Sequence, residues 1–497
     1  MRSLLPLLSY NLDRMDLRTR YSYKLRGYRR QTYFRNRLHM RWFESTLARF
    51  RRLVLDARVL NGILLAQGYG RLTGTSVEMP GVQSVRPKPA NCFLAAQELA
   101  RRRLLFVHED PRLMGGGEVV LAHIARLAKT MARVDLALVF GSTGPIPAEL
   151  RGCFDHVDSF DFEMKLRVRT LPSLVRNLRA LRRLLSSEPT CGCIAMGYAS
   201  GVRAALATAG TNVNLLWMCN FPMGVSAWSR RLKRSAGVRL LSLSGAIAVC
   251  PSTAIRDELE TLGYPRRRLR VVHNGVDIER ICRCSMSNDE RQRFRLQHQV
   301  PSADLVATCV ARVDPVKNHQ LLIRAVAHAA RQGIRVALIC AGGSDPEHRI
   351  YAEELRRLAD ELEVADRILW LGHSDEVSQW LAASDVAVLG SWMEAGPLSL
   401  IEAAAAGLPL VAPRVGSVAE IVIPARTGYL FSLDDAEECA QALVRLAGNE
   451  SERRALGAQA RRLAELEFSE KSMDAKWSAL IGGLVDSSRY SRPMAAR

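Results

Sequence analysis

The chain has 497 residues, 48% apolar and 24% charged, with a mean hydropathy of −0.04. This excludes a disordered tail, a collagen-like or low-complexity chain and a small disulfide scaffold, and supplies apolar material for more than one core; no run of roughly 18 apolar residues suggests a spanning helix. The net charge of +20 divides into +12 over residues 1–100, +13 over 101–270 and −5 over 271–497, so one half is drawn to something anionic: nucleic acid, a membrane face or phosphate-bearing substrates.

Residues 1–60 are dense in Arg with interleaved Tyr, Phe and Trp, and 68–90 are rich in Gly, Pro, Ser and Thr, as in a linker. The first buried-strand pattern is LLFVH at 104–108, followed by strand patterns at 134–140, 193–197, 214–218, 246–250 and 268–272. Helical patterns at 117–131, 172–186, 200–208, 228–242 and 253–262 lie between them. A polar, basic interval at 278–303 shows no clear strand. A second series follows, with strands at 305–310, 335–342, 367–372, 386–391, 408–413 and 428–432, and helices at 319–331, 349–362, 375–383, 398–406, 435–447 and 451–467. Short apolar runs alternating with longer helices predict an α/β fold with parallel sheets, in two units joined near residue 275. The eleven cysteines form no C-x₂₋₄-C pair, only the C-x-C pairs Cys191/Cys193 and Cys282/Cys284, which reads as unbridged thiols in a reducing compartment. The opening MRSLLPLLSY has too short an apolar run for a signal peptide, and the basic stretch outlasts a usual transit peptide, so a cytoplasmic location is expected.

Three clusters carry chemistry. Met-Gly-Gly-Gly-Glu at 114–118 joins the strand at 104–108 to the helix at 117–131. Glycines there let backbone N–H groups and a helix N-terminus approach a phosphate; a plain flexible turn is the other reading. Arg312 and Lys317, in ARVDPVKN at 311–318, follow a strand at the end where open α/β sheets bind ligands, and suit a diphosphate. Solvated loop cations are the alternative. The run WMEAGPLSLIEAAAAGLP at 392–409 also follows a strand; Pro397 suits a first helical turn and Gly396 a tight turn before it. Glu394 lies in the loop and Glu402 about a turn and a half into the helix, where carboxylates accept from sugar or ribose hydroxyls. Glu402 reads equally as the partner of a buried cation.

With these residues in place, 104–470 resemble the retaining GT-B glycosyltransferases of family 4. The resemblance rests on GGGE at 115–118, VVHNGVDIER at 271–280, ARVDPVKN at 311–318, EAGPLSLIEAAAAGLPLVA at 394–412 and GSVAEIV with TGYLF between 416 and 431. The spacing of Glu394 and Glu402 is its most specific feature. It implies two Rossmann-like domains facing across a cleft: a basic N-terminal extension and linker at 1–100, an acceptor domain at 101–274, a nucleotide-sugar donor domain at 275–470 and a tail at 471–497. By resemblance, Arg312 and Lys317 hold the diphosphate and stabilise the leaving nucleotide, and Glu394 contacts the donor sugar near the reacting centre. Glu402 accepts from the ribose. Backbone N–H groups of Gly396, Leu398 and Ser399 bind phosphate and sugar, and the loop at Gly116 and Gly117 closes from the other side. No metal or other cofactor is expected, since cations and a helix dipole stabilise the leaving group. Asn274, Gly275, Val276 and Asp277 form the hinge, and the last helices cross back to the first domain.

The sequence departs from the family at Trp217-Met218-Cys219-Asn220, where Cys219 stands in place of a sugar-contacting His; Asn220, or His108 or His273, is the alternative contact. The expected activity is sugar transfer from a nucleotide-sugar donor to an acceptor hydroxyl, in bacterial surface polysaccharide or glycolipid assembly. A non-catalytic GT-B binding subunit is the rival that the Cys219 departure supports. The basic N-terminal half reads as a nucleic-acid arm, a solvated extension or a patch for an anionic membrane face. The last fits a lipid-linked glycan acceptor at the inner face of a membrane, and no specific nucleic acid is expected.

Overall fold

The structure, a computed structural model, describes residues 102–108, 115–131, 134–140, 146–159, 171–187, 190–220 and 228–485. The basic stretch at 1–100 lies outside the described residues. Seven parallel strands build the first sheet: β1 (Arg102–His108), β2 (Val134–Phe140), β3 (His156–Ser159), β4 (Thr190–Met196), β5 (Asn214–Met218), β6 (Ile247–Cys250) and β7 (Leu269–Val271). Their order is β3-β2-β1-β4-β5-β6-β7. Between them run α1 (Gly116–Met131), α2 (Ala148–Arg151), α3 (Leu171–Ser187), α4 (Tyr198–Thr208), α5 (Trp228–Leu243) and α6 (Thr253–Thr261).

The strands read as unbroken apolar runs because helices cover both faces of the sheet. Leu104 and Phe106 pack with Val120, Leu121 and Ile124 of α1. Leu105 and Val107, pointing the other way, pack with Leu181 of α3, Ala204 of α4 and Leu241 of α5. Strand β3 (HVDS) was not anticipated, being a short and polar edge strand.

The interval at 278–303 holds two helices, α7 (Ile278–Arg283) and α8 (Asn288–Gln297). A capping box starts α8: Ser287 Oγ accepts from Glu290 N (3.3 Å), and Glu290 Oε2 accepts from Ser287 N (2.8 Å). The second sheet comprises β8 (Leu305–Val310), β9 (Val336–Ala341), β10 (Ile368–Gly372), β11 (Val386–Val388), β12 (Leu410–Pro413) and β13 (Gly428–Phe431), all parallel, in the order β10-β9-β8-β11-β12-β13. Its helices are α9 (His319–Arg331), α10 (Arg349–Glu361), α11 (Val377–Ala382), α12 (Leu398–Ala405), α13 (Val418–Ile421), α14 (Ala436–Gly448) and α15 (Glu450–Glu467).

Both sheets belong to one compact unit. The chain crosses between them twice at one place: Val276 N donates to Phe468 O (2.9 Å), and Glu470 N donates to Val276 O (3.0 Å). Helix α16 (Glu470–Val485) then returns to the first sheet, placing Met473, Trp477, Ile481 and Leu484 in the cluster of Leu104 and Phe106. The strand order reverses between β1 and β4 and between β8 and β11, so each sheet has a crevice at its carboxyl edge there. None of the ten cysteines among the described residues is in a disulfide. No helix among the described residues is long and apolar enough to cross a membrane.

Candidate active site

The second crevice gathers the charged residues. After β8, Asp314 Oδ1 accepts from Val316 N (2.8 Å) and starts a single 3₁₀ turn over Pro315–Lys317. Asn318 leaves that turn at φ 52°, a left-handed conformation Asn tolerates, and begins α9. The chain leaving β11 passes beside this turn, with Trp392 N donating to Val316 O (2.8 Å). Lys317 Nζ thereby reaches Glu394 Oε1 at 2.7 Å, joining residues 77 apart in sequence; the Glu394 side chain is 9% exposed. Arg312, at the same strand end, donates from Nη1 to Asp345 Oδ2 (2.8 Å), and its Nη2 lies 3.7 Å from Asp314. Both expected diphosphate cations are thus held by carboxylates. Asp345, from GGSDPE after β9, went unrecognised because a lone loop aspartate carries no signal until β9 is known to lie beside β8.

Helix α12 presents a bare N-terminus: Pro397 is its N-cap, one residue ahead of the first turn where it was expected, and no side chain caps the N–H groups that follow. Glu402 is the fifth residue of α12 and makes no side-chain hydrogen bond or ion pair among the described residues, so the one cation that acts on it, the exposed Arg280, does so without direct contact. Burial pushes its carboxyl up to about 7, partly offset by the Arg280 charge. Between its ordinary value of 4.5 and about 7 the folded chain holds this proton more tightly than the unfolded one. Stability from this group is therefore full below 4.5 and is lost as pH rises through 7. Glu402→Gln is expected to remove that slope, gaining on the order of 3 kcal/mol over wild type at pH 8 and little at pH 4.5, as checked by denaturant melts across pH.

The turn carrying Glu394 is gripped from two sides. Ser417 N donates to Glu394 O (3.1 Å), and Asn274 Nδ2 donates to Gly396 O (2.8 Å). Asn274, expected only as hinge, thus holds the site. From the first sheet, Gly116 lies against Leu398: a Cβ there would stand 3.3 Å from Leu398 Cδ1. The Gly115 N–H is taken by Glu118 (3.0 Å), which also contacts His108 Nε2 (3.1 Å).

Cys219 is 1% exposed and packs in the core with Trp217 and Tyr264, while its N–H donates to Val249 O (2.9 Å). Asn220, one residue on and facing the other way, brings its amide nitrogen within 3.5 Å of where a Cβ on Gly117 would be. Asn220, not Cys219, stands beside the glycine loop. His273 lies 3.3 Å from Glu420, a residue that sequence reading also passed over.

Residues 114–280 match the family described as Glycosyltransferase Family 4, and residues 290–463 match Glycosyl transferases group 1. The chain thus has the two domains that these family models describe. It is 25% identical over 234 residues to N-acetyl-alpha-D-glucosaminyl L-malate synthase of Bacillus anthracis, covering 47% of this chain and 58% of that protein. It is 32% identical over 185 residues to D-inositol 3-phosphate glycosyltransferase 2 of Catenulispora acidiphila, covering 36% of this chain and 42% of that one. The chain thus spans about half the length of the curated relatives it matches. The GT-B fold is shared with HepE of Anabaena, solved with UDP (TM-score 0.64, 20% identity, 77% of this chain and 100% of that one) and with UDP-glucose (TM-score 0.64, 19% identity, 77% and 99%).

Proposed function

We propose that this GT-B glycosyltransferase moves a sugar, with retention, from a nucleotide-sugar donor to a hydroxyl of a glycan or lipid-linked acceptor, in bacterial surface polysaccharide or glycolipid assembly. The observation that carries this reading is the meeting of Lys317, Glu394 and the uncapped α12 N-terminus at the second crevice, with Arg312 on the same strand end. Lys317 and Arg312 take the diphosphate and stabilise charge on the leaving nucleotide. Arg312 spends one donor of its fork on Asp345 and keeps others for phosphate. Glu394 faces the sugar, Glu402 the ribose, and the N–H groups of Gly396, Leu398 and Ser399 the phosphate and sugar. The cations and helix dipole supply the positive charge, so turnover is proposed to need no metal. HepE's complex with UDP-glucose supports the donor class. The test is a thermal-shift and hydrolysis screen of UDP-, GDP- and ADP-sugars with and without EDTA. Stabilisation by one nucleotide class with EDTA-resistant hydrolysis supports the reading, and a well-folded sample answering to none overturns it.

The proposal extends to an anionic membrane face. Between Glu163 and Asp257 the sequence has a single carboxylate, Glu188. The adjoining helices α3, α4 and α5 come from this stretch. They expose Arg176, Arg179, Arg183 and Arg239 together with Val175, Leu206 and Leu243, a composition that suits an anionic interface. At about 1 kcal/mol per surface arginine, the triple reversal R176E/R179E/R183E should lower sedimentation with phosphatidylserine vesicles by roughly 10²-fold or more, leaving donor hydrolysis unchanged.

A further inference from the structure

We propose that Glu420 is a positioning residue that latches the donor domain onto the first domain around the Glu394 turn. This rests on the site reading above and assigns a role to residues outside the donor-binding set. Glu420 belongs to α13 of the second sheet, yet its carboxylate lands on the N-terminus of α6 in the first domain. Its Oε2 accepts from Thr253 N (3.0 Å) and its Oε1 from Ala254 N (2.9 Å). The local cap, Ser252, takes only Ile255 N (3.3 Å), so the helix's free donors are shared between its own cap and a carboxylate from the other domain. A carboxylate at that end also meets the positive pole of the helix. Burial alone would raise Glu420, but the His273 contact and the N–H groups of Ala254 and Thr253 outweigh it and hold the group at about 2, so the link stays charged at neutral pH.

The latch lies within a few residues of both grips on the catalytic turn. Ser417, three positions before Glu420, holds Glu394 O, and Asn274, next to His273, holds Gly396 O. Pro251, next to the Ser252 cap, presses on Gly396 so closely that a Cβ there would stand 3.1 Å from Pro251 Cβ. Ala395, between Glu394 and Gly396, packs into the first domain's core cluster. The placement of the Glu394 turn, and of Leu398 against Gly116, therefore depends on the two domains being held together at α6.

Two variants of the full chain test this. Glu420→Gln puts an amide N–H₂ against backbone N–H groups. Thr253→Pro removes one donor at the first helical position, where proline is favoured, after a Ser252 whose φ −158° and ψ 163° already suit a pre-proline residue. Both should enlarge the radius of gyration in small-angle scattering. Glu420→Gln should speed amide exchange at Thr253 and Ala254 by about tenfold or more, leaving the amides of β5 unchanged. With whichever of UDP-, GDP- or ADP-glucose the wild type hydrolyses, kcat should fall about tenfold with KM within twofold, a split that mere destabilisation does not produce. Wild-type dimensions, exchange and kcat in both variants overturn the latch. A wild type inactive on all three sugars refutes the enzymatic reading, while scattering and exchange still decide whether Glu420 holds the domains together.

Discussion

Replacing Glu394 by Ala is expected to lower donor turnover by about 10²–10³-fold, the scale on which a single preorganised charge acts in a transition state. Glu394 is nearly buried, and its partner Lys317 is only a quarter exposed. In the Ala variant the ammonium loses its 2.7 Å partner, and in the proposed reading it is then free to move toward the diphosphate while no carboxylate remains beside the sugar. Glu394→Gln separates the two effects. The amide oxygen still accepts from Lys317, so stability should fall by only about 1 kcal/mol while turnover falls nearly as far as in Ala. Measuring kcat and thermal melting on both variants checks this. A Gln variant with near wild-type kcat would remove Glu394's charge from the chemistry and leave it a structural partner of Lys317.

The second large effect is expected from Gly416→Ala, which touches no charged group. Gly416 has φ 47°, and a Cβ there would stand 1.9 Å from Glu394 O, inside the hydrogen-bonded grip that Ser417 makes on that carbonyl. The contact is backbone on backbone, so the Glu394 turn must move by about an ångström, a displacement that costs on the order of 10²-fold in a preorganised site. A stability loss of about 1–3 kcal/mol should accompany it. Single-turnover hydrolysis with a denaturant melt separates the two. A variant that melts earlier but turns over at the wild-type rate would show that the turn relaxes without moving the carboxylate.

The strand series was legible because parallel strands covered on both faces are continuously apolar, as in LVATCV at β8. Strand β3 was not, because HVDS at a sheet edge lacks that signature. The spacing of Met473, Trp477, Ile481 and Leu484 marks an amphipathic helix, but part of the surface it covers, in β1 and α1, lies more than 300 residues earlier and only the resemblance pointed there. Cys219 against Asn220 turned on strand alternation. Even-numbered residues of β5 face α1 and odd ones the α3–α5 layer, an assignment that needs the helices in place.

By itself the sequence determined the residue types at the strand ends, the α/β class, the two series of strands and helices and the helix that carries Glu402, all set by local periodicity and composition. The tertiary structure decided the pairings: Lys317 with Glu394, Arg312 with Asp345, Asn274 with Gly396, and Glu420 with α6. The reason is topological. Lys317 meets Glu394 where the strand order skips, β8 beside β11, Arg312 meets Asp345 across the neighbours β8 and β9, and Asn274 and Glu420 join the two domains; none of these adjacencies is written in the spacing of residues along the chain.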